Sequence, residues 1–213
     1  MEHDAADQKL KATAAITILL LGDAGCGKST FLSRLKKKKT PRDDLEIEEP
    51  LQLLADCNQP FIYEVRFSRK KSTLKLELEF YDTASPDRHW STLQPDVVLL
   101  AFDVSDRSRD ALAGLKGWRN DITRYFQRGS GECIPVMLIG FKRDLRVEDE
   151  GVIYPQEAYR IAQELHCDRY AECSATTGEL MAEAFEDIAA LAAKTITGNE
   201  ARQGGDSGGC VIF

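Results

Sequence analysis

Nothing in this chain of 213 residues reads as a membrane-spanning helix, because no apolar stretch approaches the roughly 20 residues a bilayer crossing requires. Positive charge is in deficit. With 28 Lys and Arg against 35 Asp and Glu, the net charge is −7, the wrong sign for a surface built to hold nucleic acid. Histidine is scarce, and His3, His89 and His166 stand apart without ligand spacing. The six cysteines (Cys26, Cys57, Cys133, Cys167, Cys173 and Cys210) also lack metal-binding intervals. Behind an N-terminus without a leader pattern they read as reduced cytosolic thiols. No internal repeat is visible. What is present is an ordinary balance of apolar and charged residues, in a chain long enough for one domain with a sizeable core.

Apolar runs of strand length, at 16–21, 61–67, 74–81, 97–103, 136–140 and 170–173, alternate with amphipathic runs of helix length at 28–38, 108–126, 155–166 and 180–194. The connection at 68–73 is short enough for an antiparallel hairpin, and elsewhere strand–helix–strand units dominate. This order predicts an α/β fold, a doubly wound, six-stranded and mostly parallel sheet with one antiparallel hairpin strand. Residues 15–194 carry the pattern. Residues 1–14 read as a flexible N-terminal extension, and 195–213 as a flexible Gly-rich tail.

Directly after the first strand stands Gly22-Asp23-Ala24-Gly25-Cys26-Gly27-Lys28-Ser29, leading into a helix that begins around Thr30. Strand, glycine-rich loop and helix form the context of a phosphate-binding P-loop. Glycines let successive N–H groups turn inward as an anion cradle, and the helix N-terminus adds its positive dipole end. In this arrangement Lys28 reaches the outer phosphates and the Ser29 hydroxyl binds Mg2+. The strand beside it ends at Asp82, an acid placed to hold the same ion through water.

Two later loops suit a base. Lys142 can lie against its face, and Asp144 can accept two hydrogen bonds from guanine, whose ring N–H and exocyclic amine stand side by side. Adenine would leave that carboxylate unpaired. In Ser174-Ala175-Thr176, after the last short strand, the Ala175 N–H is placed to donate to the guanine carbonyl. An ATPase or P-loop kinase is disfavoured by this set.

With these residues in place, the sequence resembles a small GTPase of the Ras superfamily, closest to the Rho branch, over roughly 16–193. The likeness rests on the phosphate loop, Phe80-Tyr81-Asp82-Thr83-Ala84, residues 95–100, Asp144-Leu145-Arg146, residues 152–158, and Tyr170-Ala171-Glu172-Cys173-Ser174-Ala175. The helix that Rho proteins carry after the guanine motif is absent or reduced to 147–151. The resemblance implies the P-loop NTPase fold of small G proteins, GTP/GDP and Mg2+ as ligands, GTP hydrolysis, and effector and regulatory proteins as partners. Nucleotide-binding residues are then Asp23, Ala24, Gly25, Cys26, Gly27, Lys28, Ser29, Thr30, Lys142, Asp144, Ser174, Ala175 and Thr176, with Ser29 and Asp82 at the metal. The chain closes on Cys210-Val211-Ile212-Phe213, a C-a-a-X box whose terminal Phe favours geranylgeranylation of Cys210. That places the protein at the cytoplasmic face of a membrane, with a cytosolic pool. One chain anchors marginally, and Lys36-Lys37-Lys38-Lys39 is the only basic cluster that could assist.

Departures from the family pattern fall where hydrolysis is controlled. Ala24 stands for a glycine beside the cleaved phosphate, Ser85 for a switch glycine, and Pro86 for the glutamine that orients the attacking water. Proline has neither side-chain amide nor backbone N–H to orient anything. The segment between Ser29 and Asp82 is long, with Pro50-Leu51 where a Pro-Thr is usual, Thr40 close to the P-loop helix, and an acidic stretch at 43–49. Phe141 replaces the Asn or Thr that opens the base motif. The reading is therefore a membrane-attached Rho/Ras-like GTP-binding switch with slow hydrolysis and no catalytic residue assigned, Pro86 and Ala24 occupying the positions that control hydrolysis in the family. The alternative is a GTPase-deficient adaptor, nucleotide-locked or nucleotide-free.

Overall fold

The computed structural model describes residues 10–36, 59–69, 72–82, 90–106, 109–126, 133–147, 153–201 and 211–212. In chain order these form β1 (Leu10–Gly22), α1 (Lys28–Lys36), β2 (Phe61–Arg69), β3 (Ser72–Asp82), β4 (Val97–Asp103), α2 (Arg109–Tyr125), β5 (Val136–Phe141), α3 (Pro155–Glu164), β6 (Arg169–Glu172), α4 (Met181–Ala201) and β7 (Val211–Ile212). The sheet runs β6-β5-β4-β1-β3-β2-β7. β1 pairs parallel with β3 and β4, and β4–β5 and β5–β6 are also parallel. β2 lies antiparallel to β3. The six expected strands and the single antiparallel hairpin strand are all present. The two-residue β7 extends the edge beside Phe67 and Ser68.

Period-two alternation divides the core. Ile18 and Leu20 face one layer with Leu76, Leu78, Phe80, Phe31 of α1 and Ile188 of α4. Leu19 and Leu21 face the other, with Val98, Leu100, Leu115 and Ile122 of α2, and Ala158 and Ala162 of α3. β4 is buried from Val97 to Phe102, as a strand covered on both faces must be. Each such Leu, Ile or Phe contributes roughly 1.5–3 kcal/mol by leaving water.

Several boundaries depart from the sequence expectation. β1 begins at Leu10 rather than 16, because residues 12–15 run in register with Leu74 to Glu77 of β3 despite their Ala-rich composition. At the other end α4 continues to Ala201, past Lys194 and into the segment expected to be a flexible tail; Thr195 Oγ1 donates to Ala192 O at 2.7 Å there. α3 opens on Pro155, which suits a first helical position. It closes with His166 in the left-handed region (φ 51°), where the Cys167 N–H returns to Ala162 O.

β1 has β3 on one side and β4 on the other, which makes its carboxyl end the switch point of the sheet. Gly22 closes β1 at φ 142°. A Cβ there would lie 2.2 Å from Ala101 O, so only glycine lets the loop leave so close to β4.

Candidate functional site

The loop from Gly22 to Ser29 runs between β1 and α1 as the motif requires. Lys28 is 3% exposed, and its Nζ donates to Gly22 O and Asp23 O, each at 2.8 Å. A buried ammonium needs such partners, and here they curl the loop around the side chain. Asp23, Ala24 and Gly25 are exposed at the loop's outer side, whereas Cys26 is buried and burial pushes its thiol pKa up. The Asp23 carboxylate is turned toward α2, where its Oδ1 accepts from Trp118 Nε1 at 2.8 Å. Trp118 in turn packs edge-to-face on Trp90, in the short turn that follows residues 83–89.

The Ser29 hydroxyl donates to Asp82 Oδ2 at 2.7 Å. Asp82 is 1% exposed at the end of β3, and its N–H donates to Gln59 Oε1. A hydroxyl and a carboxylate brought together beside an anion cradle match the hard oxygen donors that Mg2+ takes. Among the described residues no group of three His, Cys, Asp or Glu side chains could hold a metal.

On the neighbouring strand ends, Phe141 is 1% exposed and stacks on Phe31 of α1 with ring centroids 4.9 Å apart. It also lies under the phosphate loop: a Cβ on Gly27 (φ 115°) would come within 3.3 Å of the Phe141 Cβ. Where the family uses hydrogen bonds to tie base loop to phosphate loop, this chain uses apolar packing. Lys142 follows in the left-handed region (φ 60°), its Nζ bonded to Asp103 Oδ2 at 2.7 Å. Asp144 sits exposed in the next turn.

The third loop is tied to the second through backbone. Cys173 N–H donates to Gly140 O at 2.9 Å, and Arg143 N–H to Cys173 O at 3.4 Å. Ser174 is fully buried and its Oγ accepts from the Thr177 N–H, while Ala175 is buried and Thr176 exposed. The side chains of Ser174 and Ala175 thus shape the loop.

Glu172, at the end of β6, was given no role by the motif reading. It is 6% exposed and binds both terminal nitrogens of Arg146, one at 2.6 Å, together with Arg143 Nη1 at 3.0 Å and the Tyr170 hydroxyl. Arg143 Nε continues to Glu179 at 2.7 Å. Burial raises the Glu172 pKa, but the arginine and tyrosine bonds outweigh it and the net shift is downward from 4.5. The lowered value in the fold means that Glu172 stabilises the protein above the unfolded pKa, and that this contribution fades as pH falls through the folded one. As pH falls below the unfolded value of 4.5, urea midpoints are expected to drop less for Glu172→Gln than for the native chain.

Asp103, Trp118, Glu172 and Glu179 are the site partners absent from the motif reading. Asp103 and Glu172 are placed by adjacent strands, Trp118 by α2 packing beside the loop and Glu179 by the turn before α4, none of which local spacing reveals. Ser85, Pro86, Thr40, Pro50, Leu51 and Cys210 lie outside the described residues.

A glycine-rich loop with a buried lysine, a hydroxyl–carboxylate pair, and Lys142 and Asp144 on the following loop, all at the carboxyl ends of a doubly wound sheet, define a P-loop domain. The Ras family profile matches residues 17–194. The chain is also 25% identical over 181 residues to the GTP-binding protein RHO2 of Saccharomyces cerevisiae, covering 79% of this chain and 84% of that protein. The chain belongs to the Ras family, and it is a Rho-like small GTPase.

Proposed function

We propose that this protein is a membrane-attached signalling switch that binds GDP and GTP with Mg2+ and hydrolyses GTP slowly unless assisted. The observation that supports the nucleotide reading is Lys28, buried and held by the Gly22 and Asp23 carbonyls in the glycine-rich loop between β1 and α1. Asp23 to Thr30 then hold the phosphates, Lys142 and Asp144 with the 174–176 loop read guanine, and Ser29 and Asp82 support the metal, which neutralises phosphate charge when bound. The membrane reading rests on Cys210 in its C-a-a-X setting; among the described residues no helix is long and apolar enough to cross a bilayer.

Slow hydrolysis follows from Pro86 and Ala24. Proline offers no group to orient water, and the Ala24 methyl occupies the outer side of the loop, where the family has none. An arginine finger acting with the water-positioning residue is worth about 10³–10⁵ in rate in this class. Single-turnover hydrolysis is expected to rise at least about tenfold, about 1.4 kcal/mol of barrier, in Ala24→Gly/Pro86→Gln. A native rate equal to that variant's overturns the reading. Nucleotide analysis and intact-mass measurement of protein from a eukaryotic host test the rest, reporting the bound guanine nucleotide and the lipid on Cys210 together. A second reading, an adaptor without a cycle, is favoured by Phe141 and is supported by protein that carries no nucleotide and takes up none with Mg2+.

A further inference from the structure

The base-reading acid, Asp144, is placed between two guanidinium residues, Arg143 directly before it and Arg146 two positions after. Either would compete with a base for its carboxylate, since arginine and carboxylate pair strongly and in two-pronged geometry. In the structure neither does. Arg146 directs both terminal nitrogens to Glu172 and is 10% exposed as a side chain; Arg143 is divided between Glu172 and Glu179. Glu172 accepts four bonds, two on each oxygen, so its acceptor capacity is filled. Two arginines are balanced by two glutamates, and Asp144 is left exposed with its charge free for the two donors on one edge of guanine.

We propose that Glu172 is a positioning residue for base specificity, keeping Arg146 and Arg143 off Asp144. The proposal rests on the guanine reading above. It differs from a general stabilising role in one respect: loss of Glu172 releases an arginine toward Asp144, so it removes the preference for guanine's exocyclic amine and not merely affinity. A hypoxanthine base, which lacks that amine, is the discriminating probe.

The test compares GDP and inosine diphosphate affinities, with Mg2+, in the full chain. The native protein is expected to prefer GDP, and Glu172→Gln to lower the GDP-over-IDP ratio about tenfold, the worth of one hydrogen bond to a charged group. Glu172→Gln/Arg146→Met is expected to restore the ratio even where both affinities stay reduced, because the freed guanidinium is gone. Equal weakening of GDP and IDP in Glu172→Gln overturns the proposal while leaving the guanine reading intact. A native protein without preference for GDP overturns the guanine reading and the proposal with it. If Glu172→Gln does not fold, Arg146→Met alone decides: a ratio at or above the native value supports the proposal, and a fall overturns it.

Discussion

Replacing Lys28 with alanine is expected to weaken GDP and GTP binding by about 100-fold or more, while leaving a folded domain. The ammonium is the one cation buried in the phosphate loop, and its bonds to Gly22 O and Asp23 O fix its head at the mouth of the cradle. A hydrogen bond from a charged donor contributes about 1.5–3 kcal/mol, and a lysine reaching two phosphates makes more than one. About 3 kcal/mol corresponds to the roughly 100-fold loss named. The alanine also leaves two loop carbonyls without their partner, which loosens the cradle for any anion. Titration with a fluorescent GDP analogue measures the effect. Binding within about threefold of native would show that the phosphates lie elsewhere, since RT ln 3 is far below the worth of one such bond.

The second large effect belongs to Phe141. Its ring fills the space between α1 and the phosphate loop, stacked on Phe31 and beneath Gly27. Phe141→Ala is expected to cost about 3–5 kcal/mol through lost transfer energy and the cavity left behind. In a chain of this size that lowers the melting temperature by roughly 6–20 °C. Phe141→Asn, which reinstates the residue typical of the family, is expected to destabilise too, because it loses the stacking on Phe31 and leaves part of the ring's volume empty. Thermal unfolding of the two variants separates this from a role in base contact alone. An unchanged melting temperature for Phe141→Ala would mean that the ring does not hold the loop.

The parts legible in the sequence are those whose chemistry is local. A phosphate cradle needs glycine where the backbone turns, lysine where it closes and a hydroxyl at the helix start, and these stand in a row from Gly22 to Ser29. The strands carrying Leu19, Leu100 and Leu138 were equally legible, because continuous apolar runs bounded by turns have few other uses. The start of β1 was not, since Ala12 to Ala15 have weak strand preference and are held only by distant β3. The network on Glu172 was hidden for the same reason. Its partners Arg143 and Arg146 are 29 and 26 residues away and meet it only because β5 and β6 lie side by side. Trp118 and Asp23 are 95 residues apart. Phe141 was read by what it cannot donate, and its packing required the positions of Phe31 and Gly27.

The chain contains two tryptophans, Trp90 and Trp118, and both belong to one contact pair on the flank of the phosphate loop. One indole is bonded to the loop itself through Asp23, and the other follows the segment where the family's second switch lies. The chain's tryptophan emission therefore originates wholly beside the glycine-rich loop. If nucleotide seats on that loop, excitation selective for tryptophan is expected to report loading and release from the unmodified chain, without a labelled nucleotide or an engineered probe.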